Sequence, residues 1–212
     1  MRTHILCLFI LVINIQGFSQ KIETDIFDDL KFESRDKQYT ASLKRNIFDD
    51  LIFSDSRDNK ITLENKYLHL EHQGVFENSE EKINLFRNLI HDYRHDEKYE
   101  QTYAVDILDK VVIQDNRNGK VEYGKDIFGN QTYSEKSNGI EKSMKRNFQG
   151  GLDYNENNKT ATLQKDLYNR WKYVDSSGNE FVFGDRTWNS LKGKFKTEED
   201  IFFSLIKTFF ND

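Results

Sequence analysis

A short repeat constrains this chain more than any other feature of its sequence. Nearly the same octapeptide occurs twice, as DIFDDLKF at residues 25–32 and NIFDDLIF at residues 46–53. Each copy pairs a large apolar anchor with a second apolar residue about five positions later. The same pairing recurs at Phe27/Phe32, Phe48/Phe53, Leu108/Ile113, Phe128/Tyr133, Phe148/Tyr154, Tyr168/Tyr173 and, without a partner, Trp188. Anchors at 108, 128, 148, 168 and 188 have a fixed period, which is typical of a protein built from stacked supersecondary units.

Each unit contains two groups of turn-forming residues. The first follows the anchor, for example Asp49–Asp50, and the second lies about half a unit later, for example SRDN at 56–59 or SSGN at 176–179. Asp, Asn and Gly tolerate the positive φ angles of tight hairpin turns. We therefore expect short antiparallel strands between the turns, with Phe48 and Phe53 as rungs of a stacked aromatic face and Asp49–Asp50 as the turn between them.

Apolar and polar residues alternate along the expected strands. Trp171 and Tyr173 share one side with Lys172 opposite, and Ala161 and Leu163 repeat the pattern, as in a sheet with one packed and one wetted face. The predicted fold is mainly all-β: an antiparallel meander or solenoid of about seven ~20-residue hairpin repeats, with an inserted helix and a C-terminal amphipathic capping helix. A closed solenoid, a half-barrel and an open meander all fit this pattern. Near the first turn, where Ile47 and Phe48 are both apolar, a bulge would explain the break in alternation.

Two segments depart from the repeat. In the first, we expect a helix beginning at Asn78 or Ser79, with an apolar stripe formed by Ile83, Phe86, Leu89, Ile90 and Tyr93. In the second, TEEDIFFSLIKTFFND, Thr197 and Asp200 form a capping box before an apolar run. We expect this last helix to cover the apolar face of the sheet, as the ends of repeat arrays require. Its apolar face comprises Ile201, Phe202, Leu205, Ile206, Phe209 and Phe210.

The N-terminus has the layout of a secretory signal peptide. Arg2 precedes an apolar run from Ile5 to Ile15, and Gly17 and Ser19 are small residues suited to a cut after Ser19. The run is shorter than the ~20 residues that a membrane span needs. The expected organisation is a signal peptide at 1–19 and one domain at 20–212, with repeats 1 and 2 at 20–68, a helical insert at 69–103, repeats 3–7 at 104–195 and the capping helix at 196–212.

Composition narrows the class of protein. Aromatic residues make up 14% of the chain, which argues against disorder, and the net charge of −5 gives no basic footprint for nucleic acid. The single cysteine, Cys7, lies inside the expected signal peptide, so we expect neither disulfides nor thiol chemistry in the mature domain. We expect no stable membrane insertion once the signal peptide is removed.

Two stretches, KYVDSSGNEF at 172–181 and KDIFGNQTY at 125–133, carry a resemblance to a known family. Their aromatic–Asp–x–x–Gly character resembles the YD (RHS-type) β-repeats, whose members build strand-rich wrapping sheets, often around toxin cargo. The pattern departs at 28–29 and 49–50, where Asp replaces Gly, and at 146–158, which lacks the Tyr–Asp pairing. The resemblance implies an architecture only and carries over no catalytic residue.

Candidate metal ligands are confined to the insert. His69 and His72 form one pair, and His91 and His95 form a second at the i,i+4 spacing of zinc-binding helices. The helical stripe places His91 and His95 opposite the packed face, which favours a solvated surface over a zinc site. DNRNG at 115–119 and DSSGN at 175–179 resemble the start of calcium loops but lack the distal bidentate Glu, so tight turns explain them better. We expect no cofactor and no catalytic activity.

The sequence therefore predicts a secreted or periplasmic β-repeat protein with a binding or structural role in the cell envelope or outside the cell. Its partner would be a protein or a glycan. One alternative is an immunity or accessory protein of a secreted toxin system, which the small size, the acidity and the resemblance to toxin-linked repeats would suit. A second alternative is a metal-binding protein that uses the four histidines of the insert.

Overall fold

The computed structural model describes residues 22–210 of the chain. The predicted signal peptide at 1–19 and its cut after Ser19 lie outside the described residues. The described part contains fourteen strands, four α-helices and a π-helical turn. The strands are β1 (Ile22–Thr24), β2 (Leu30–Glu33), β3 (Thr40–Arg45), β4 (Leu51–Asp55), β5 (Lys60–Leu63), β6 (Glu100–Val105), β7 (Val111–Asp115), β8 (Lys120–Lys125), β9 (Gln131–Ser137), β10 (Ile140–Arg146), β11 (Leu152–Glu156), β12 (Lys159–Lys165), β13 (Trp171–Asp175) and β14 (Glu180–Phe183). The helices are α1 (Asn65–Glu71), α2 (Ser79–Tyr93), α3 (Asp185–Lys194) and α4 (Glu198–Leu205), and the π-helical turn covers Ile206–Phe210.

All the strands belong to one open sheet in which they follow one another in chain order, from β1 at one lateral edge to β14 at the other. Every neighbouring pair is antiparallel except β5 and β6, which run parallel, with Leu63 opposite Tyr103. Helices α1 and α2 lie between these two strands in the chain, as a parallel connection requires. The mainly β, hairpin-based architecture predicted from the sequence is confirmed.

The sheet has one packed and one wetted face, as the alternation predicts. Along β13, Trp171 and Tyr173 are buried while Lys172 is half-exposed, and along β12, Ala161 and Leu163 are buried. The opposite face carries Ser, Thr, Lys and Glu side chains. Because side chains alternate strictly between the two faces of a strand, all four helices can lie on the same side.

The helices form two separate groups on the packed face. Helices α1 and α2 cover the first strands, where Phe86 of α2 packs edge-on against Phe53 of β4 with ring centroids 6.1 Å apart. Helices α3 and α4 cover the last strands, where Trp188 stacks on Trp171 at 4.8 Å. Between the groups, Tyr123 and Tyr133 face each other across β8 and β9 and are only half-buried.

Two of the expected helices are found where the sequence placed them. Asn78 caps α2 by accepting the N–H of Glu80, and Thr197 and Asp200 form the reciprocal capping box of α4. The structure adds α1 and α3, which were not expected. Trp188, interpreted as the anchor of a seventh repeat, lies in α3 instead. A large apolar residue at the right period is equally suited to a helix that packs on the sheet, so the period alone did not distinguish the two.

The two helix-covered parts correspond to each other along the chain. TASLKRNIFDDLIFSDSRDN at 40–59 aligns without a gap with TATLQKDLYNRWKYVDSSGN at 160–179. The correspondence continues through β5 and β14, and α1 and α3 begin at equivalent positions, Asn65 and Asp185. Four strands, β6 to β9, separate the two units. The sheet thus contains the same strand-and-helix unit twice.

A buried asparagine ties the sheet to the helices in each unit. The side-chain N–H groups of Asn59 donate to Asp55 and to the carbonyls of Tyr93 and Asp96 at the end of α2, and its Oδ1 accepts the N–H of Tyr99. Its counterpart Asn179 donates to Asp175 and to one carbonyl, that of Phe209. Asn59 is 1% exposed, so its partners have no water to replace it.

We expect Asn59→Ala to lower the free energy of unfolding by about 2 kcal/mol or more, because buried carbonyl and N–H groups would lose their partner. Urea unfolding followed by far-UV circular dichroism measures the change. Asn179→Ala is the matched control and should cost less, because Asn179 is less buried and binds a single helix carbonyl. An equal or larger loss for Asn179→Ala would contradict this account.

Candidate functional site

Six hairpin turns with the same internal geometry lie at one end of the strands, which we call the apolar end. In each five-residue turn the first side chain, Asp or Asn, accepts the backbone N–H groups two and four residues later, as Asp126 does from Phe128 (2.8 Å) and Asn130 (2.9 Å). The fourth residue has positive φ, as predicted for Asp, Asn and Gly. The six turns are 25–29, 46–50, 106–110, 126–130, 147–151 and 166–170.

The second and third residues of these turns point into solvent and are mostly large and apolar. Phe48 is 71% exposed and Ile107 is 96% exposed. The prediction that Phe48 is a rung of a stacked core is therefore wrong, whereas Phe53 is fully buried as expected. Together these exposed side chains form what we call the apolar row: Ile26, Phe27, Ile47, Phe48, Ile107, Leu108, Ile127, Phe128, Phe148, Leu167 and Tyr168.

The phase of the repeat explains this error. Each anchor belongs to the turn itself, and the following apolar residue belongs to the strand, so the expected bulge near Ile47 and Phe48 is unnecessary. The turn at 147–151 begins at Asn147, so Phe148 occupies its second position, whereas Phe128 occupies the third position of its own turn. A period measured on anchors alone hid this shift.

Turns at the opposite end of the strands, the polar end, provide an internal comparison. Asp55, Asp115 and Asp175 accept N–H groups two and four residues later, with the same geometry as the six turns above. Their second and third residues are polar: Ser56–Arg57, Asn116–Arg117 and Ser176–Ser177. The turn geometry therefore needs no apolar residue at these positions. The apolar row must have another cause.

The helices hold several of these turns from behind and leave their tips free. Lys82 of α2, 3% exposed, donates to the carbonyl and carboxylate of Asp28. At the start of α1, the backbone N–H of Asn65 donates to Asp50, and Lys66 donates to the carbonyl of Asp106. These contacts fix the backbone of three turns, so a partner would meet a pre-organised surface.

The turn at 147–151 is held in a similar way by an arginine. Arg146 donates to the carbonyl of Gly150 at 2.7 Å and pairs with Glu198 (3.1 Å) and Glu199 (2.6 Å) in the first turn of α4. The two glutamates are also well placed at the N-terminus of that helix, where negative charge is favoured. This part of the apolar row is therefore attached to the second helix group.

The row is long and regularly spaced. Successive turns on one end of an antiparallel meander are two strands apart, which corresponds to about 10 Å. One interval, between the turns at 46–50 and 106–110, spans three strands because β5 is parallel to β6. From the first turn to the last, the row follows the sheet for about 50 Å. Its natural counterpart is an extended surface and not a small-molecule pocket.

Acidic residues accompany the apolar tips, most densely at the first two turns. The pKa of Asp25 lies below its ordinary value of 3.8 because the N–H of Phe27 and then Lys31 stabilise the ionised carboxylate. The pKa values of Asp106, Asp126 and Asp166 are also lowered, chiefly by the backbone N–H of Lys110, Asn130 and Arg170, respectively. Asn46 and Asn147 occupy the same position without a charge.

These shifts give the turns a dependence on pH. A carboxylate whose pKa is lower in the folded chain stabilises the fold above its unfolded pKa, and that stability is lost as the pH falls through the folded pKa. We expect the thermal midpoint to fall below about pH 4. A variant with Asn in place of Asp25, Asp106, Asp126 and Asp166 should show a smaller fall. Identical acid profiles for the two proteins would contradict this role for the carboxylates.

The candidate metal ligands lie apart from this surface. His69 is exposed on α1, and His72, at its end, is half-buried against Tyr67, where burial lowers its pKa. Since α2 ends at Tyr93, His95 lies beyond the helix and does not share a helix face with His91, as the sequence had predicted. Nδ1 of His91 lies 3.0 Å from Asp92 in solvent. Within residues 22–210, no group of three His, Cys, Asp or Glu side chains is placed to hold a metal ion.

Other surfaces of the described chain offer less. A hollow of about 610 Å³ on the wetted face lies over the first strands and is lined by polar residues such as Lys31, Ser42 and Ser54. None of the helices within residues 22–210 has the length and apolar character of a membrane span.

Comparison with known proteins gives no match: no family model, no curated protein and no solved structure is similar to this chain. The candidate site therefore rests on the geometry of the apolar row.

Proposed function

We propose that this chain is a non-catalytic binding protein, secreted or located in the cell envelope, that binds a partner protein through the apolar row. The observation that carries the proposal is the contrast between the two ends of the strands. The same turn geometry holds polar residues at one end and apolar residues at the other. A soluble protein rarely exposes so extended a set of large apolar side chains unless they bind something.

The chemistry of the row suggests the character of the partner. Apolar tips about 10 Å apart suit a surface with a series of shallow apolar sockets. The acidic residues around the first turns, including Asp28 and Asp50, favour a partner with Lys or Arg around those sockets, because complementary charge speeds association and sets orientation. The same acidic residues would repel an anionic lipid surface.

Several features support a binding role for the row. The turn backbones are fixed by hydrogen bonds and by contacts to the helices, so little ordering is needed on association. Phe27, Phe48, Phe128 and Tyr168 supply aromatic rings, which are enriched among the residues that dominate interface energies. The flanking Ile and Leu side chains widen each contact.

We expect the apolar tips to be dispensable for folding. Phe48→Ser copies the residue found at the equivalent position in the polar-end turn, Ser177, and should change the free energy of unfolding by less than about 0.5 kcal/mol. The matched control, Phe53→Ser, removes a fully buried ring and should cost about 3 kcal/mol or more. Urea unfolding separates the two. A large loss for Phe48→Ser would place that ring in the core after all.

Binding is tested by capture from the native cell envelope with the wild-type chain and two variants. The first variant replaces Phe27, Phe48, Phe128 and Tyr168 with Ser. The second, with Arg57→Ser and Ser177→Arg, alters the polar end without changing net charge. The proposal requires a protein that the wild-type chain and the second variant retain and that the first variant loses, with direct binding confirmed using the purified partner.

Other outcomes discriminate between classes of partner. Flotation of the purified chain with phosphatidylcholine or phosphatidylglycerol vesicles tests a lipid surface, and a glycan array tests sugars. Binding to either that depends on the four aromatic tips would replace the protein-partner proposal. Capture that is identical for all three proteins would remove the apolar row as the binding element. If the tip-dependent partner is a toxin, the alternative immunity role would act through this same surface.

A further inference from the structure

The last strand of the sheet lacks a neighbour that its counterpart has. In the first of the two corresponding units, β5 has β4 on one side and β6, parallel to it, on the other. In the second unit, β14 occupies the place of β5 but has β13 on one side only, within the described residues. The same unit therefore occurs once with a parallel strand added and once without it.

Burial shows what the added strand does. Ile61 and Leu63 of β5 are 0% and 2% exposed, and Tyr103 and Val105 of β6 pack against the same core. The equivalent residues of β14, Phe181 and Phe183, are larger but remain half-buried at the margin of the second core. The edge at β14 thus leaves aromatic surface exposed that the first unit covers with a strand.

The backbone of β14 is also oriented to accept a strand. In the first unit, Lys60 and Glu64 direct their N–H groups outward and donate to the carbonyls of Tyr99 and Tyr103 (2.8 and 2.9 Å). N–H groups alternate between the two sides of a strand, so Thr62 faces the same way. Val182 is its equivalent in β14, and its N–H group points away from β13.

The other lateral edge of the sheet carries a strand of the required kind. β1 pairs only with β2 within the described residues, and it runs toward the apolar end, as β6 does. Ile22 stands three residues before the turn-forming Asp25, just as Tyr103 stands three residues before Asp106. Opposite the buried Phe32 in β2, Ile22 lies on the packed face, where Tyr103 lies in β6.

We propose that β14 of one copy of this chain binds β1 of a second copy as a parallel strand, with Ile22 of the second copy opposite Phe183. The contact repeats the β5–β6 pairing between two molecules. It is head-to-tail, so each copy keeps one free edge and the chains extend into an open assembly unless their rotation closes a ring. The proposal does not depend on the partner bound by the apolar row.

The geometry of such an assembly preserves the row. The turn at 166–170 of one copy and the turn at 25–29 of the next would be three strands apart. The same interval already occurs inside the chain between the turns at 46–50 and 106–110. Because β1 and β14 are short, the contact is small, and we expect weak association that depends on concentration.

The first test measures mass against concentration by sedimentation velocity and light scattering with the purified full chain. The wild-type chain should form species heavier than the 25.2 kDa monomer as its concentration rises. Val182→Pro removes an outward N–H group at an edge position where proline is tolerated, and it should abolish these species. Val182→Thr keeps the N–H group and copies Thr62, so it should behave as wild type. Circular dichroism shows whether the variants are folded.

The second test distinguishes head-to-tail pairing from pairing of two β14 strands. Ile22→Pro blocks the edge at β1, with Ile22→Val as its matched control. Each proline variant alone should stay monomeric, and an equimolar mixture of Val182→Pro and Ile22→Pro should form a dimer through the two intact edges. A wild-type chain that is monomeric at every concentration would overturn the proposal. So would self-association of Ile22→Pro alone, or a mixture that forms no dimer.

Discussion

One oxygen atom at the start of each turn determines much of this structure. The Oδ1 atom of an Asp or Asn accepts two backbone N–H groups, two and four residues later, and so fixes a five-residue reversal. Since each reversal has the same length, every strand re-enters the sheet with its apolar residues on the same face. The second and third residues have no place on either face and are directed outward. The packed face and the apolar row are therefore two results of one interaction.

Much of the fold follows from patterns visible in the sequence. The alternation in WKYVD at 171–175 places Trp171 and Tyr173 inward, and the capping residues Asn78 and Thr197 mark the starts of two helices. Such signals are local, because they depend on side-chain parity and on hydrogen bonds within a few residues. The positive φ angles at Asp28, Asp49 and Gly129 likewise follow from residue type.

What the sequence left undetermined was the phase of the repeat and the long-range pairing. An apolar residue in a turn and one in a strand look the same to a five-residue spacing, so Phe48 was assigned to the core. The pattern Asp/Asn–x–x–x–x would have located each turn, because it also occurs at Asp55, Asp115 and Asp175 with polar residues inside it. The parallel pairing of β5 with β6 depends on α1 and α2 filling the space between them, which no local signal reveals.

Sequential strand order also has a consequence for how the chain folds. Nearly every strand pairs with the strand next to it in the chain, so most contacts close short loops, and such contacts form quickly. The exception joins Lys60 to Glu100, where a long segment must be brought together before any backbone hydrogen bond rewards it. We expect this closure to be the slowest step. The chain would then zip up from each hairpin independently and wait for one distant pair of strands to meet.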